Sequence, residues 1–233
     1  MPTGREIMEL ANVILNDVDN VRWPLREIAK WINEAVRAIV LAKPSASSAT
    51  TAIQMVAGTL QRVPETGVPT PLALTRLVRN LKDNTLPRQG TRIITATSRV
   101  LLDAQDPNWH DMTRTLPKKQ VRQYVFDEAT PLEFYVYPAN DGTGWVEAVL
   151  SFLPKALEAS AADNDLASYE IDVGLPEPYS VPILDYVLFR CFSKDDLGQG
   201  PGRSAAHYQQ FASAVGLKIQ VEGATSPNTR KAP

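Results

Sequence analysis

Between Trp23 and Pro44 the chain reads WPLREIAKWINEAVRAIVLAKP. Ile28, Trp31, Ile32, Ala35, Val36 and Ile39 recur at helical spacing, with charged residues between them. Pro24 suits a first helical turn, Glu27 the positive end of the helix dipole and Lys43 the negative end. Pro44 blocks continuation. A helix with so continuous an apolar stripe must bury it against other elements. A packed, multi-helix core is therefore the first constraint on this fold.

The neighbouring segments supply candidates for that core. Thr3-Gly4-Arg5-Glu6 is a capping-box pattern, and Ile7, Leu10, Ala11, Ile14 and Leu15 follow at helical spacing. Asn16 to Asn20 breaks that helix. SASSATTAIQMVAG reads as a short third helix, weakened by its Ser and Thr.

The pattern then changes. The 18 prolines cluster between segments, at Pro64, Pro69 and Pro71, at Pro117, and at Pro176, Pro178 and Pro182. Each cluster punctuates the chain. TLQRVP and ALTRLVRN have strand character. TRIITATSRVLLD fits a strand by its β-branched residues and a helix by its tail. QVRQYVFD, LEFYVYP and WVEAVLSFLP are the clearest strands. Asp141-Gly142-Thr143-Gly144 is a turn, so the last two strands are predicted to form a hairpin.

Helices return in SVPILDYVLFRCFSKDD, with Leu184, Val187, Leu188 and Cys191 as the apolar stripe, and in RSAAHYQQFASAVGLK. The order helices, strands, helices predicts an α+β fold. The N- and C-terminal helices (residues 1–58 and 176–220) form an antiparallel helical bundle. A central antiparallel β region occupies 59–157. Residues 221–233, without periodicity and basic at the end, form an extended C-terminal arm. No internal repeat is visible.

With 24 basic and 26 acidic residues the net charge is −2, unlike the basic excess of a dedicated nucleic-acid binder. No apolar run approaches a membrane span, and the N-terminus lacks the apolar core of a signal peptide. The single cysteine permits no intrachain disulfide.

Enzymatic signatures are sparse. There is no phosphate loop, dinucleotide fingerprint, His-Glu-x-x-His or Gly-x-Ser-x-Gly. His110 lies between Asp106 and Asp111 beside Trp109, so a His–Asp site is one reading and a turn histidine on a packed tryptophan the other. His207 sits on the last helix. Two histidines and one cysteine do not supply a metal's three or four ligands, so neither metal nor cofactor is expected. Cys191 falls on an apolar stripe and reads as a small buried hydrophobe. Arg26, Lys30 and Arg37 share a helix face that offers itself to phosphates, but Glu27 and Glu34 interleave and favour pairing along the helix. This face carries the alternative reading of a nucleic-acid-binding module. Trp23, Trp31, Trp109 and Trp145 read as core or interface anchors.

DVDNVRWPLREIAKWINEAVRAIVLAKP resembles the opening of the head-to-tail adaptor (connector) proteins of short-tailed bacteriophages. The resemblance continues in order through AGTLQRVP, RLVRN, LLDAQDPNWH, PLEFYVYP, LPEPYSVPILDYVLFRCFSKDD and AAHYQQFASAVG. It implies a virion structural protein at the head–tail interface, made in the host cytoplasm, and not an enzyme. It implies a homo-oligomeric ring of twelve copies joining the portal protein to a tail or nozzle protein. DNA would pass through the ring's channel without specific binding, and no membrane is involved. The family's portal-docking arm maps onto residues 223–233 here, with Thr225, Asn228, Arg230 and Lys231 as portal contacts. Tyr135, Tyr137 and Trp145 are expected at a subunit or tail interface, and Arg26, Lys30 and Arg37 toward the channel or a neighbour.

Overall fold

A computed structural model of the chain describes residues 1–65, 69–194 and 200–225. In chain order the elements are α1 (Gly4–Leu15), α2 (Leu25–Ala42), β1 (Ser48–Gln54), β2 (Ala57–Arg62), β3 (Thr70–Leu81), β4 (Gly90–Ile93), β5 (Thr95–Ala96), α3 (Arg99–Gln105), β6 (Gln123–Phe126), β7 (Glu133–Asp141), β8 (Trp145–Leu153), α4 (Ser180–Lys194) and α5 (Gly200–Thr225). The fold is α+β. Two compact units result: Met1–Ser47 with Leu153–Pro233, and Ser48–Phe152. Among the described residues no helix is long and apolar enough to cross a membrane.

In the first unit α1 begins at a complete capping box. The Thr3 hydroxyl accepts from the Glu6 amide, and the Glu6 carboxylate accepts from the Thr3 amide. All six stripe residues of α2 are buried. They join Ile7, Met8 and Ala11 of α1 and Ile183, Val187 and Cys191 of α4 in one core. α4 touches α1, α2 and α5. Its contacts with α5 run antiparallel, as Ser193 with Ser204 and Tyr186 with Phe211 require.

Three expectations change here. Leu10 and Ile14, at the helical spacing of the α1 stripe, are half exposed, because α1 turns Ile7, Met8 and Ala11 inward instead. Glu27 and Glu34 do not pair along α2. They reach across to Lys194 and Arg190 of α4, which lie one turn apart on a helix running the opposite way. Last, α5 continues to Thr225, past position 221 where the extended arm was expected. The remainder of the arm, with Asn228, Arg230 and Lys231, lies outside the described residues.

Cys191 is fully buried, and burial pushes its thiol up to about 12. A raised thiol pKa favours the fold below the unfolded value near 9 and loses that contribution as pH climbs toward 12. The native protein should therefore leave a chromogenic disulfide reagent unreacted at pH 8, while the urea-unfolded chain consumes one equivalent at once. Prompt reaction of the native thiol would contradict this burial.

The second unit is two four-stranded sheets, ordered β1-β8-β3-β4 and β2-β7-β6-β5. They face each other over one core, to which Ile53, Leu74 and Val146 come from one sheet and Tyr124, Phe134 and Val136 from the other. Period two explains the other face of the second sheet. Val125 and Tyr135, cross-strand partners, point away from that core toward α3 and Trp109.

The SASSATTAIQMVAG segment is not a helix. After a single 3-10 turn it becomes β1, paired from Ser48↔Ser151 to Gln54↔Trp145, and then β2. Its Thr and Ile favour the pleated conformation once β8 is alongside. TRIITATSRVLLD divides into β4, β5 and then α3, capped by Ser98.

The β7–β8 hairpin does not exist. β7 pairs with β2 and β6, and β8 with β1, so residues 142–144 cross from one sheet to the other. The β1–β2 link crosses beside them, joined by Met55 N–H to the Gly144 carbonyl at 2.9 Å. Asn140, with no exposed surface, organises the crossing. Its oxygen accepts from the Gly142 and Gly144 amides at 2.8 and 3.2 Å. Its amide donates to the Lys118 and Lys119 carbonyls at 3.0 and 2.9 Å. Gly144 is required, since a Cβ there would fall on the Lys119 carbonyl and the Asn140 amide.

Candidate functional site

His110, Asp106 and Asp111 do not form a catalytic constellation, because each side chain has a different partner. His110 Nδ1 meets the Thr59 hydroxyl at 2.9 Å, not Asp106 or Asp111. Its ring lies 3.6 Å from that of Trp109. Partial burial, then the nearby Arg99 charge, lowers the imidazole pKa, so the neutral form is favoured. Asp106 accepts from the Asn108 amide and from Thr115 Oγ1. Asp111 accepts from the amide and hydroxyl of Thr113, which lower its pKa. Both carboxylates are therefore turn caps. The second histidine, His207, meets Asp185 at 2.9 Å between α5 and α4. No group of three potential metal ligands occurs among the described residues.

The cationic face of α2 is real but uneven. Arg26 lies 3.8 Å from Asp163. Lys30 and Arg37 are exposed, and neither forms an ion pair among the described residues. With Glu27 and Glu34 turned toward α4, the charge along this face is positive.

Tyr135 and Tyr137 point out of the β2-β7-β6-β5 sheet but lie under the α3 segment. Tyr135 meets the edge of Trp109 with 6.0 Å between centroids, and the Arg99 guanidinium sits 5.4 Å over it. The Tyr137 hydroxyl approaches Asp106 at 3.5 Å. Trp145, half-buried at the start of β8, lines a hollow with Pro64, Pro69, Pro71 and Phe152. β7 and β8 lie inside their sheets, so the open edges belong to β1, β4, β2 and β5.

Sequence reasoning missed one surface. On α1, Leu10, Val13 and Ile14 stand out of the core at 52%, 77% and 51% exposure. The signal was present, since Leu10, Val13 and Ile14 recur as regularly as Ile7, Met8 and Ala11. Spacing alone does not say which of two apolar faces is covered.

The family model described as SU10 adaptor protein matches residues 2–231. No curated protein matches the chain.

Proposed function

The chain belongs to the SU10 adaptor protein family, and on that premise we propose that it joins the head of a bacteriophage to its tail as one subunit of a ring. A phage adaptor is a structural component of the virion. In the proposed assembly copies contact both neighbours through different surfaces and close into a ring, twelvefold by analogy with related adaptors. One side of the ring meets the portal protein, and the other a tail or nozzle protein. The ring continues the channel through which DNA passes. The observation that carries this reading is the family match over nearly the whole chain.

Within it, Arg26, Lys30 and Arg37 face a neighbour or the channel, and Trp145 serves a subunit or tail contact. Tyr135 and Tyr137 serve that contact through whatever rim the α3 segment leaves open. The end of α5 at Thr225 and the stretch with Asn228, Arg230 and Lys231 dock on the portal, where the two cations meet acidic groups. The helices of the first unit pack around one core.

The test is particle mass, for the protein alone and after mixing with the portal protein of the same virion. A cyclic, high-mass complex on the portal is expected. A chain ending at Val221 should fold normally and bind the portal poorly. An isologous dimer as the portal-bound form would falsify the ring.

A further inference from the structure

The outer face of α1 is apolar at its centre and acidic at its rim. Leu10, Val13 and Ile14, at positions i, i+3 and i+4, form one continuous patch. Single exposed apolar residues are ordinary, whereas a contiguous group marks a contact surface. Leu10 and Val13 border an open hollow shared with Pro2, Glu6, Glu9 and Glu177. Val181, 64% exposed, follows Ser180 of the same hollow.

The rim keeps a negative excess. Arg5 is divided between Glu9 at 2.8 Å and Glu170 at 3.2 Å. Glu6 caps the helix, and Glu177 forms no ion pair among the described residues. A fitting partner therefore carries long apolar stems with cationic heads at helical spacing.

This chain presents such a surface elsewhere on the same unit. Lys30 and Arg37 are seven residues apart on α2, which places them on one side, about 10 Å from each other. Leu41, one turn further along that face, is 85% exposed. Lysine and arginine stems cover apolar surface while their heads reach carboxylates. A symmetric α1-to-α1 contact is disfavoured, since it would bring two acidic rims together.

We propose that the outer face of α1 docks on the Lys30–Arg37–Leu41 face of α2 from a second copy of this chain. The contact joins unlike surfaces, so it repeats from copy to copy. It rests on the adaptor reading for its place in a ring, and it can fail independently of that reading.

The experiment uses the full chain with Val13→Asp in one variant and Lys30→Glu with Arg37→Glu in another. All three side chains are exposed, and circular dichroism with thermal melting verifies folding. Sedimentation velocity is run on the wild type, each variant and their equimolar mixture, at low and high salt. The wild type should associate with rising concentration, more weakly at high salt. Each variant alone should associate about tenfold more weakly or less. The mixture should give a dimer and stop there, because each copy keeps one intact and complementary face. Variants that assemble like the wild type overturn the proposal. So does a mixture that stays monomeric, or a wild type that never associates. A cationic face that instead binds DNA, with unchanged self-association in Lys30→Glu/Arg37→Glu, also overturns it. The adaptor reading is judged separately, by binding of the wild type to the portal.

Discussion

Asn140→Ala is expected to destabilise the β unit by about 3 kcal/mol or more. The side chain has no exposed surface and makes four hydrogen bonds to backbone groups of two segments. Alanine removes all four partners and leaves buried N–H and C=O groups without replacement. Each such orphan costs about 1–3 kcal/mol where water cannot reach it. The Gly144 amide is buried, while the groups nearer the surface recover some loss through solvent. Asn140→Asp separates the two halves of the role. A carboxylate still accepts from Gly142 and Gly144 but cannot donate to Lys118 and Lys119, so it too should be strongly destabilising. Gly144→Val tests the same crossing by sterics, because its side chain would occupy the position of the Lys119 carbonyl. Urea unfolding followed by circular dichroism measures all three. A loss below about 1 kcal/mol for Asn140→Ala would mean that the crossing is held by strand pairing alone.

The same crossing shows where sequence reading stops. Turn chemistry at Asp141-Gly142-Thr143-Gly144 announces a reversal. It does not say whether the strands on either side pair with each other or with more distant partners. That choice depends on β1 and β2, whose own link crosses alongside, and on the reach of Asn140 to residues 118 and 119. Neither is local. β1 was obscure for a related reason: SATTAIQ has weak intrinsic preference, and its partner β8 lies about a hundred residues away. By contrast α2 was legible because one face carries nearly all of its large apolar side chains. α1 has apolar residues on both faces, and periodicity cannot rank two faces of similar strength. The acid–histidine grouping failed because adjacency along a turn sends side chains in different directions, while Thr59 arrives from a distant strand. The adaptor resemblance was legible through the order of segments, a property that no single side chain carries.

Trp109→Ala is expected to cost about 3–5 kcal/mol, the range for deleting a buried aromatic side chain. Trp109 is 1% exposed and packs with Leu102 and Val125, against the outer face of the β2-β7-β6-β5 sheet. Its indole N–H donates to Asp103 at 2.8 Å. Leu102 is the only buried residue of α3, so little else holds this segment down. The loss should therefore appear as local opening as well as lowered global stability. Amide hydrogen exchange across residues 99–115 should accelerate, while the strands of the facing sheet keep more of their protection. Trp109→Phe keeps most of the packing and removes only the bond to Asp103, which is half exposed and accepts water instead. That variant should cost about 1 kcal/mol. The consequence extends to the expected interface. Tyr135 and Tyr137 lie under this segment, so releasing it exposes both rings and frees His110 from its contact with Trp109. If these tyrosines contact a neighbour or the tail, Trp109→Ala should alter assembly beyond what its stability loss predicts, and Trp109→Phe should not. Unchanged exchange across 99–115 in Trp109→Ala would show that the tryptophan is not what anchors the segment.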